Sequence, residues 1–164
     1  MTDPDIRLDR HGPVAELVLS RPEKRNALTE AMWRAVPRLL AEAESSAAVR
    51  VLVARGEGGA FAAGADISEF EAVYATRDRA EAYSRGIAEA LDGLAAFPLP
   101  TLAKIDGACV GGGCALALAC DLRFAAPESR FAITPGKLGL IYPLNDTRRL
   151  IEAVGVGYAI RVSV

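Results

Sequence analysis

The chain has 164 residues, of which 51% are hydrophobic and 24% are charged. A chain of this length is expected to form one domain, and its composition excludes a disordered or fibrous protein. The 19 basic and 21 acidic side chains leave a formal charge of -2, so a broad positive surface for nucleic acid is not expected.

Metal-binding, disulfide-linked and membrane proteins are also disfavoured. The three cysteines form no Cys-x-x-Cys pair, and the only histidine, His11, lies far from them in the sequence. The first residues are acidic and lack the apolar core of a secretory signal. The longest apolar stretch, 108–120, contains glycines and is shorter than the roughly 20 residues of a membrane helix. We therefore expect a cytoplasmic protein without a metal site.

The first half of the chain predicts a hairpin, a helix and a strand. Residues 6–8 and 14–19 are expected to pair across a turn at 11–13. Thr29 is placed to cap a helix that has one apolar face and ends near residue 45, with Pro37 kinking it or shifting its start. A compact strand follows at 49–54.

The second half predicts the same kinds of element again. An Ala-rich helix at 77–97 is ended by two prolines, and a small-residue helix follows a glycine cluster at 111–113. A last helix is expected at about 147–154. Short strands are predicted at 101–105, 122–125 and 131–133. The recurring order of strand, strand and helix indicates an α/β domain.

Two glycine-containing loops, at 62–66 and 111–113, each lead into a helix. A helix start leaves backbone N–H groups without partners, and the helix dipole favours negative charge there. Two such starts brought together would stabilise an oxyanion. Alternatively, the glycines only allow close packing of helix against strand. Neither loop has the spacing of a dinucleotide or P-loop motif, so phosphate binding is not indicated.

Three motifs occur along the chain in an order found in one enzyme family: RPEKRNAL (21–28), FAAGADISEF (61–70) and IDGACVGGGCALALACDLRFA (105–125). Through them the chain resembles the enoyl-CoA hydratase/isomerase, or crotonase, superfamily. The resemblance implies a spiral of β-β-α repeats forming a single core domain over residues 1–164. It also implies an acyl-CoA thioester as substrate, no further cofactor, and a homo-oligomer, either a trimer or a hexamer.

The resemblance also implies roles for individual residues. The backbone N–H groups of Ala65 and Gly112 would form an oxyanion hole that polarises the thioester carbonyl and stabilises an enolate. The segments 24–28 and 63–67 would line the path of coenzyme A and pantetheine. The substrate-binding residues expected in these segments are Lys24, Arg25, Ala27, Leu28, Ala63, Gly64, Asp66 and Ile67.

Two positions depart from the family's pattern. The family's hydratases carry a glutamate after a Gly-Gly-Gly-Cys run and a second one in a Gln-Pro-Glu run, and these positions are Ala115 and Pro135 here. Hydration of a double bond needs groups that activate water and protonate the α-carbon, so it is not expected. Isomerisation, which depends on the second glutamate, is disfavoured as well.

The segment 134–142 instead resembles the Thr-Pro-x-x-Leu-Gly-x-x-Tyr pattern of family members similar to methylmalonyl-CoA decarboxylase. Loss of CO2 generates the enolate without a base, which suits the missing carboxylates. Tyr142 would then orient the departing carboxylate or relay a proton, and the alternative is a tyrosine that only packs. The match is partial, because the decarboxylase has a histidine at the position of Ala65.

The remaining polar residues are expected to be structural. Asp66 and Glu69 are placed to cap a helix, and Asp146 to cap the last helix at the surface. Asp121 is expected to make a structural hydrogen bond, and His11 to be exposed in a turn. The cysteines are expected to pack as small hydrophobic residues.

The end of the chain raises a second hypothesis. The family continues into a C-terminal helical segment that closes the acyl pocket, and nothing after Gly157 is similar to it. Residues 158–164 resemble only the start of the next helix. Together with the missing glutamates, this leaves open a catalytically inactive acyl-CoA-binding or assembly protein.

Overall fold

The computed structural model describes residues 5–162, and it begins with the predicted hairpin. Strands β1 (Ile6–His11) and β2 (Val14–Leu19) pair in antiparallel orientation. The turn between them contains Gly12, whose φ of 62° is a left-handed conformation that glycine adopts without steric cost. His11 is exposed beside this turn, as predicted.

Helix α1 (Glu30–Glu44) follows with the predicted cap. The hydroxyl of Thr29 accepts a hydrogen bond from the N–H of Met32, which satisfies one of the free donors at the helix start. Pro37 lies on the exposed side of α1, and the helix continues through it without a shifted start. The apolar side of α1 is buried in the core.

A five-stranded sheet forms the centre of the fold. It contains β3 (Val51–Gly56), β4 (Thr101–Ile105) and β6 (Leu122–Ala125) in addition to the hairpin. The strand order is β1-β2-β3-β4-β6, and every pair after the hairpin is parallel. A separate parallel pair is made by β5 (Ala108–Val110) and β7 (Arg130–Ala132).

In the described part of the chain, four further α-helical segments connect and cover these strands: α2 (Phe70–Val73), α3 (Arg77–Ala95), α4 (Gly112–Ala119) and α5 (Leu144–Val162). Helix α5 is interrupted at Gly155, whose φ of 75° and ψ of 161° are not helical. Helix α3 packs against α1 and α4, and α4 packs against α5. The three cysteines are buried, as predicted, and they are free thiols. Asp121 accepts hydrogen bonds from the N–H and the hydroxyl of Thr101, both at 2.8 Å, which confirms its structural role.

The prediction for the last helix was wrong in one respect. Helix α5 starts at Leu144 instead of Thr147, because the carbonyl of Pro143 accepts the N–H of Thr147 and so begins the helix earlier. Asp146 consequently lies inside the first turn and is only 4% exposed, so it is not the expected surface cap. Within residues 5–162, no helix has the length and apolar character needed to cross a membrane.

Candidate active site

A cavity of about 350 Å³ opens between the segment 63–67, helix α3, the start of α4 and the segment 134–146. Apolar and aromatic side chains form most of its wall. Among residues 5–162, Asp146 is the only carboxylate that lines the cavity, and neither lysine nor arginine lines it. Both glycine-containing loops predicted to form an oxyanion hole therefore meet at one mainly apolar cavity.

The backbone N–H groups of Ala65 and Gly112 lie close together at this cavity. A Cβ atom on Gly112 would lie 3.7 Å from the nitrogen of Ala65. In the described part of the chain neither N–H group has a hydrogen-bond acceptor, whereas the neighbouring N–H groups of Asp66 and Gly111 both donate to carbonyl groups. Two free donors at one cavity are suited to binding a single oxygen atom.

Two isolated bridges between backbone segments hold this arrangement. Ala65 pairs with Leu28, and Ala62 pairs with Cys109 of β5, both in parallel orientation. The N–H of Leu28 donates to the carbonyl of Gly64 at 2.7 Å. The segment that carries the Ala65 donor is thus fixed on one side to the 21–28 loop and on the other to the strand that leads into α4.

Two of the glycines are required by close backbone contacts. Gly64 has a φ of 104°, and a Cβ atom there would lie 3.1 Å from the carbonyl oxygen of Val110. A Cβ atom on Gly113 would lie 2.4 Å from the carbonyl oxygen of Ala62. Gly64 and Gly113 therefore do allow close packing, which is the alternative that the sequence left open. This close packing brings the two free N–H groups together.

Only part of the predicted site lines the cavity. The predicted residues that do so are Ala63, Gly64, Ala65, Ile67, Gly112 and Tyr142. Those that do not are Lys24, Arg25, Ala27, Leu28 and Asp66. Lys24 and Arg25 are exposed, and Leu28 is buried in the core. The two predicted segments are nevertheless adjacent, since the N–H of Ala63 donates to the carbonyl of Arg25 at 2.9 Å.

The carboxylate of Asp66 is bonded within the protein. It accepts hydrogen bonds from the hydroxyl and the N–H of Ser68, at 2.6 and 3.0 Å, and it pairs with Arg21 at 3.0 Å. These bonds lower the pKa of Asp66, and the bond from the Ser68 hydroxyl has the largest effect. Asp66 thus caps the short 3-10 helix Ile67–Glu69, which confirms its predicted capping role. Glu69 caps a different helix, because it accepts the N–H of Glu30 at the start of α1.

The positions that depart from the family pattern also lie at the cavity. Ala115 and Pro135 both line it, so two apolar residues stand where the resemblance places glutamates. Asp146 pairs with Arg149 at 3.1 Å, and burial raises the pKa of Asp146. Among residues 5–162, no group of three or more His, Cys, Asp or Glu side chains is placed to hold a metal ion.

Three buried polar atoms in the described part of the chain have no hydrogen-bond partner. They are Trp33 Nε1, Tyr83 Oη and Tyr142 Oη, and all three residues line the cavity. Burial raises the pKa of both tyrosines, so their hydroxyl groups are neutral donors at pH 7. The sequence predicts Tyr142 as a site residue. It assigns Trp33 to the apolar face of a helix, and no sequence pattern singles out Tyr83.

Asn26 is a further residue whose role the sequence did not reveal. It is fully buried and has a φ of 56°, a left-handed conformation that asparagine tolerates better than most residues. Its side chain accepts the N–H of Arg21 and donates to the carbonyls of Glu57 and Ala60, each at 2.8 Å. An asparagine at a tight turn within the RPEKRNAL motif is the only local signal for this role.

Comparison with known proteins gives consistent matches. The family described as enoyl-CoA hydratase/isomerase matches residues 9–164. The chain is 37% identical over 147 residues to enoyl-CoA hydratase domain-containing protein 2, mitochondrial, of Bos taurus, covering 89% of this chain and 49% of that protein. It is 30% identical over 166 residues to the mitochondrial Delta(3,5)-Delta(2,4)-dienoyl-CoA isomerase of Dictyostelium discoideum, covering 94% of this chain and 56% of that protein.

Solved structures are similar over nearly the whole chain. A crystal structure of an enoyl-CoA hydratase/isomerase family protein from Hyphomonas neptunium superposes with a TM-score of 0.94 at 53% sequence identity. The superposition covers 97% of this chain and 61% of that one. The chain thus spans about half the length of the curated relatives it matches and 61% of the solved structure.

Proposed function

The chain belongs to the enoyl-CoA hydratase/isomerase family, and we propose that it processes acyl-CoA thioesters by stabilising a thioester enolate. The observation that carries this proposal is the pair of free N–H groups of Ala65 and Gly112 at one cavity. The thioester carbonyl oxygen accepts a hydrogen bond from each. Negative charge on that oxygen is then held at the start of α4, and one such donor is typically worth about 10²–10³ in rate.

The reaction is the decarboxylation of a malonyl-type thioester. The bond between the α-carbon and the carboxylate breaks, its electron pair forms the enolate, CO2 leaves, and a proton then adds to the α-carbon. The support for this choice is that Ala115 and Pro135 line the cavity instead of two glutamates. Decarboxylation needs no base to form the enolate, only stabilisation of the carbonyl oxygen. Coenzyme A enters as part of the substrate, and no further cofactor is needed.

Tyr142 orients the departing carboxylate or relays the proton to the α-carbon. Its hydroxyl is buried, has no partner among residues 5–162, and belongs to a residue that lines the cavity. Burial raises the pKa of this hydroxyl, so it remains a neutral donor at pH 7. A neutral donor of this kind can hold a carboxylate without neutralising its charge.

The test uses malonyl-CoA, methylmalonyl-CoA and crotonyl-CoA with product detection by mass spectrometry. We expect loss of CO2 from a malonyl-type ester, and hydration of crotonyl-CoA that is absent or very slow. Tyr142→Phe lowers kcat, whereas Tyr158→Phe, at an exposed position of α5 outside the cavity, keeps it. Hydration of crotonyl-CoA as the only reaction contradicts the proposal. Tight binding of the esters without turnover favours the inactive acyl-CoA-binding protein instead.

The functional unit in this proposal is a homo-oligomer. Large apolar side chains are exposed on β6 and at the start of α5, among them Leu122, Phe124 and Leu144. Exposed large apolar side chains that form a patch are typical of interaction sites. Sedimentation velocity tests this part, and a monomer at all measured concentrations contradicts it.

A further inference from the structure

Two unpartnered polar groups lie in a part of the cavity that the proposed reaction does not use. Trp33 is 1% exposed and Tyr83 is 2% exposed. Neither Trp33 Nε1 nor Tyr83 Oη has a hydrogen-bond partner within residues 5–162, although both side chains line the cavity. Buried polar groups in native proteins are nearly always paired, so two orphans at one cavity point to a ligand atom that pairs with them.

The two groups converge from different helices. Trp33 lies on α1 and Tyr83 on α3, and these helices pack against each other. Burial raises the pKa of Tyr83, and a hydrogen-bond interaction with the Trp33 indole lowers it, so the indole N–H lies beside the phenol oxygen. The contact falls short of hydrogen-bond geometry, and neither polar atom is satisfied by it. The edge-to-face contact of Tyr83 with Tyr74, with ring centres 6.0 Å apart, holds the Tyr83 ring in place.

The Trp33 indole is also adjacent to the free N–H pair. Its Cζ2 atom lies 3.1 Å from the point that a Cβ atom on Gly112 would occupy, and the nitrogen of Ala65 lies 3.7 Å from the same point. An acyl group whose thioester oxygen is bound by Ala65 and Gly112 therefore passes close to the indole edge. An oxygen atom a few bonds along that acyl group can reach Trp33 and Tyr83.

We propose that Trp33 Nε1–H and Tyr83 O–H form a second subsite, which binds an oxygen atom of the acyl group beyond the thioester carbonyl. The subsite rests on the proposed function, because the thioester must first be bound by Ala65 and Gly112. The indole N–H can only donate, so the ligand atom is an acceptor: a hydroxyl, keto or carboxylate oxygen. Among the described residues no lysine or arginine lines the cavity, so this subsite binds oxygen through neutral hydrogen bonds.

The subsite determines which acyl groups are accepted. A saturated acyl chain would leave both donors buried without a partner, whereas an oxygen substituent pairs with them. A site built to bond a polar group discriminates strongly against analogues that lack it, because its own groups then stay unpaired. Acyl-CoA thioesters that carry such an oxygen substituent on a short acyl chain are therefore bound more tightly than those that lack it.

The experiment compares four CoA esters with four-carbon acyl groups: butyryl, 3-hydroxybutyryl, acetoacetyl and succinyl. Calorimetry measures the Kd of each for the unmodified chain, Tyr83→Phe, Trp33→Phe and the matched control Tyr158→Phe. We expect at least one oxygenated ester to bind about tenfold more tightly than butyryl-CoA, a ratio typical of one well-placed neutral hydrogen bond. Tyr83→Phe and Trp33→Phe reduce this ratio to about twofold or less, and Tyr158→Phe preserves it.

Each outcome distinguishes the subsite from the proposed function. Equal binding of all four esters, more tightly than free coenzyme A, overturns the subsite alone. A preference for oxygenated esters that survives in Tyr83→Phe also overturns it, and this variant keeps the aromatic ring, so the test does not depend on the folding of Trp33→Phe. Esters that bind no better than free coenzyme A overturn the proposed function and the subsite together. The preferred ester identifies the oxygen as hydroxyl, keto or carboxylate.

Discussion

In the segments 21–28 and 63–67, the side chains of Asn26 and Asp66 direct their polar atoms into hydrogen bonds with the protein. At the cavity, in contrast, Trp33, Tyr83 and Tyr142 end in polar atoms that have no partner of good hydrogen-bond geometry within residues 5–162. The bonded group, together with Arg21 and Glu57, is called the scaffold set below, and the unbonded three are called the donor set.

Burial does not separate these two sets, because members of both are almost inaccessible to solvent. The two sets differ in hydrogen bonding: the polar atoms of the scaffold set have partners within the protein, and those of the donor set do not. A paired buried group stabilises the fold, and its removal leaves a partner unpaired at a cost of about 1–3 kcal/mol. An unpaired group already carries such a cost in the absence of ligand. Substitutions in the two sets should therefore change stability in opposite directions.

The largest effect is expected for Asn26→Ala. The substitution leaves the N–H of Arg21 and the carbonyls of Glu57 and Ala60 without the Asn26 side chain as a partner. We expect the free energy of unfolding, measured by urea titration, to fall by about 3 kcal/mol or more. Asn145→Ala, at an exposed position, is the matched control and should change it by less than about 0.5 kcal/mol. A loss below about 1 kcal/mol in Asn26→Ala would remove Asn26 from the scaffold set.

A smaller loss is expected for Asp66→Asn. The variant keeps an oxygen that can accept from Ser68, but it loses the charge that pairs with Arg21 at 3.0 Å. We expect a loss of about 1–2 kcal/mol in the same titration, since both partners are largely buried. The exposed Asp78→Asn, in the first turn of α3, serves as the control. Equal stability of Asp66→Asn and the parent chain would show that the ion pair is dispensable.

Glu57 gives the scaffold set a pH dependence. Hydrogen bonds from Arg7 and then Ser20 lower the pKa of Glu57 from 4.5 to about 2. Because the folded-state pKa lies below the unfolded one, Glu57 stabilises the fold above about pH 4.5, and this contribution is lost as the pH falls towards about 2. Glu57→Gln should therefore flatten the dependence of unfolding free energy on pH in this window, and the exposed Glu44→Gln should not. Parallel pH profiles for Glu57→Gln and the parent chain would contradict this assignment.

The smallest effect, and the one of opposite sign, is expected for Tyr83→Phe without ligand. The substitution removes a hydroxyl that has no partner and keeps the ring that packs against Tyr74. The free energy of unfolding should stay the same or rise by up to about 1 kcal/mol. A loss of more than about 1 kcal/mol in thermal or urea unfolding would place the Tyr83 hydroxyl in the scaffold set.

The local part of the fold could be predicted from the sequence, because proline, glycine and aspartate mark where its elements begin and end. Pro100 and Asp121 immediately precede β4 and β6, and both strands have the predicted bounds. The α/β class and the order of strand, strand and helix are confirmed as well. The assignment of residues 1–164 to one domain stays a prediction.

Contacts between distant segments could not be predicted in the same way. Asn26 bonds to carbonyls that lie 31 and 34 residues further along the chain, and no local pattern records such a contact. Trp33 lies on the predicted apolar side of α1, but helical periodicity does not distinguish a side that faces the core from one that faces a cavity. Asp146 became buried because α5 starts at Leu144, one turn earlier than its sequence pattern indicated.

The two isolated bridges at Ala62 and Ala65 have a consequence for amide hydrogen exchange. The N–H of Leu28 is bonded across one bridge and that of Val110 across the other, so both should exchange slowly with deuterated solvent. The amides of Ala65 and Gly112 are unbonded and face the cavity, so they should exchange much faster than these close neighbours. A bound carbonyl oxygen would slow both fast amides together, which makes their exchange rates a direct measure of site occupancy that requires no turnover.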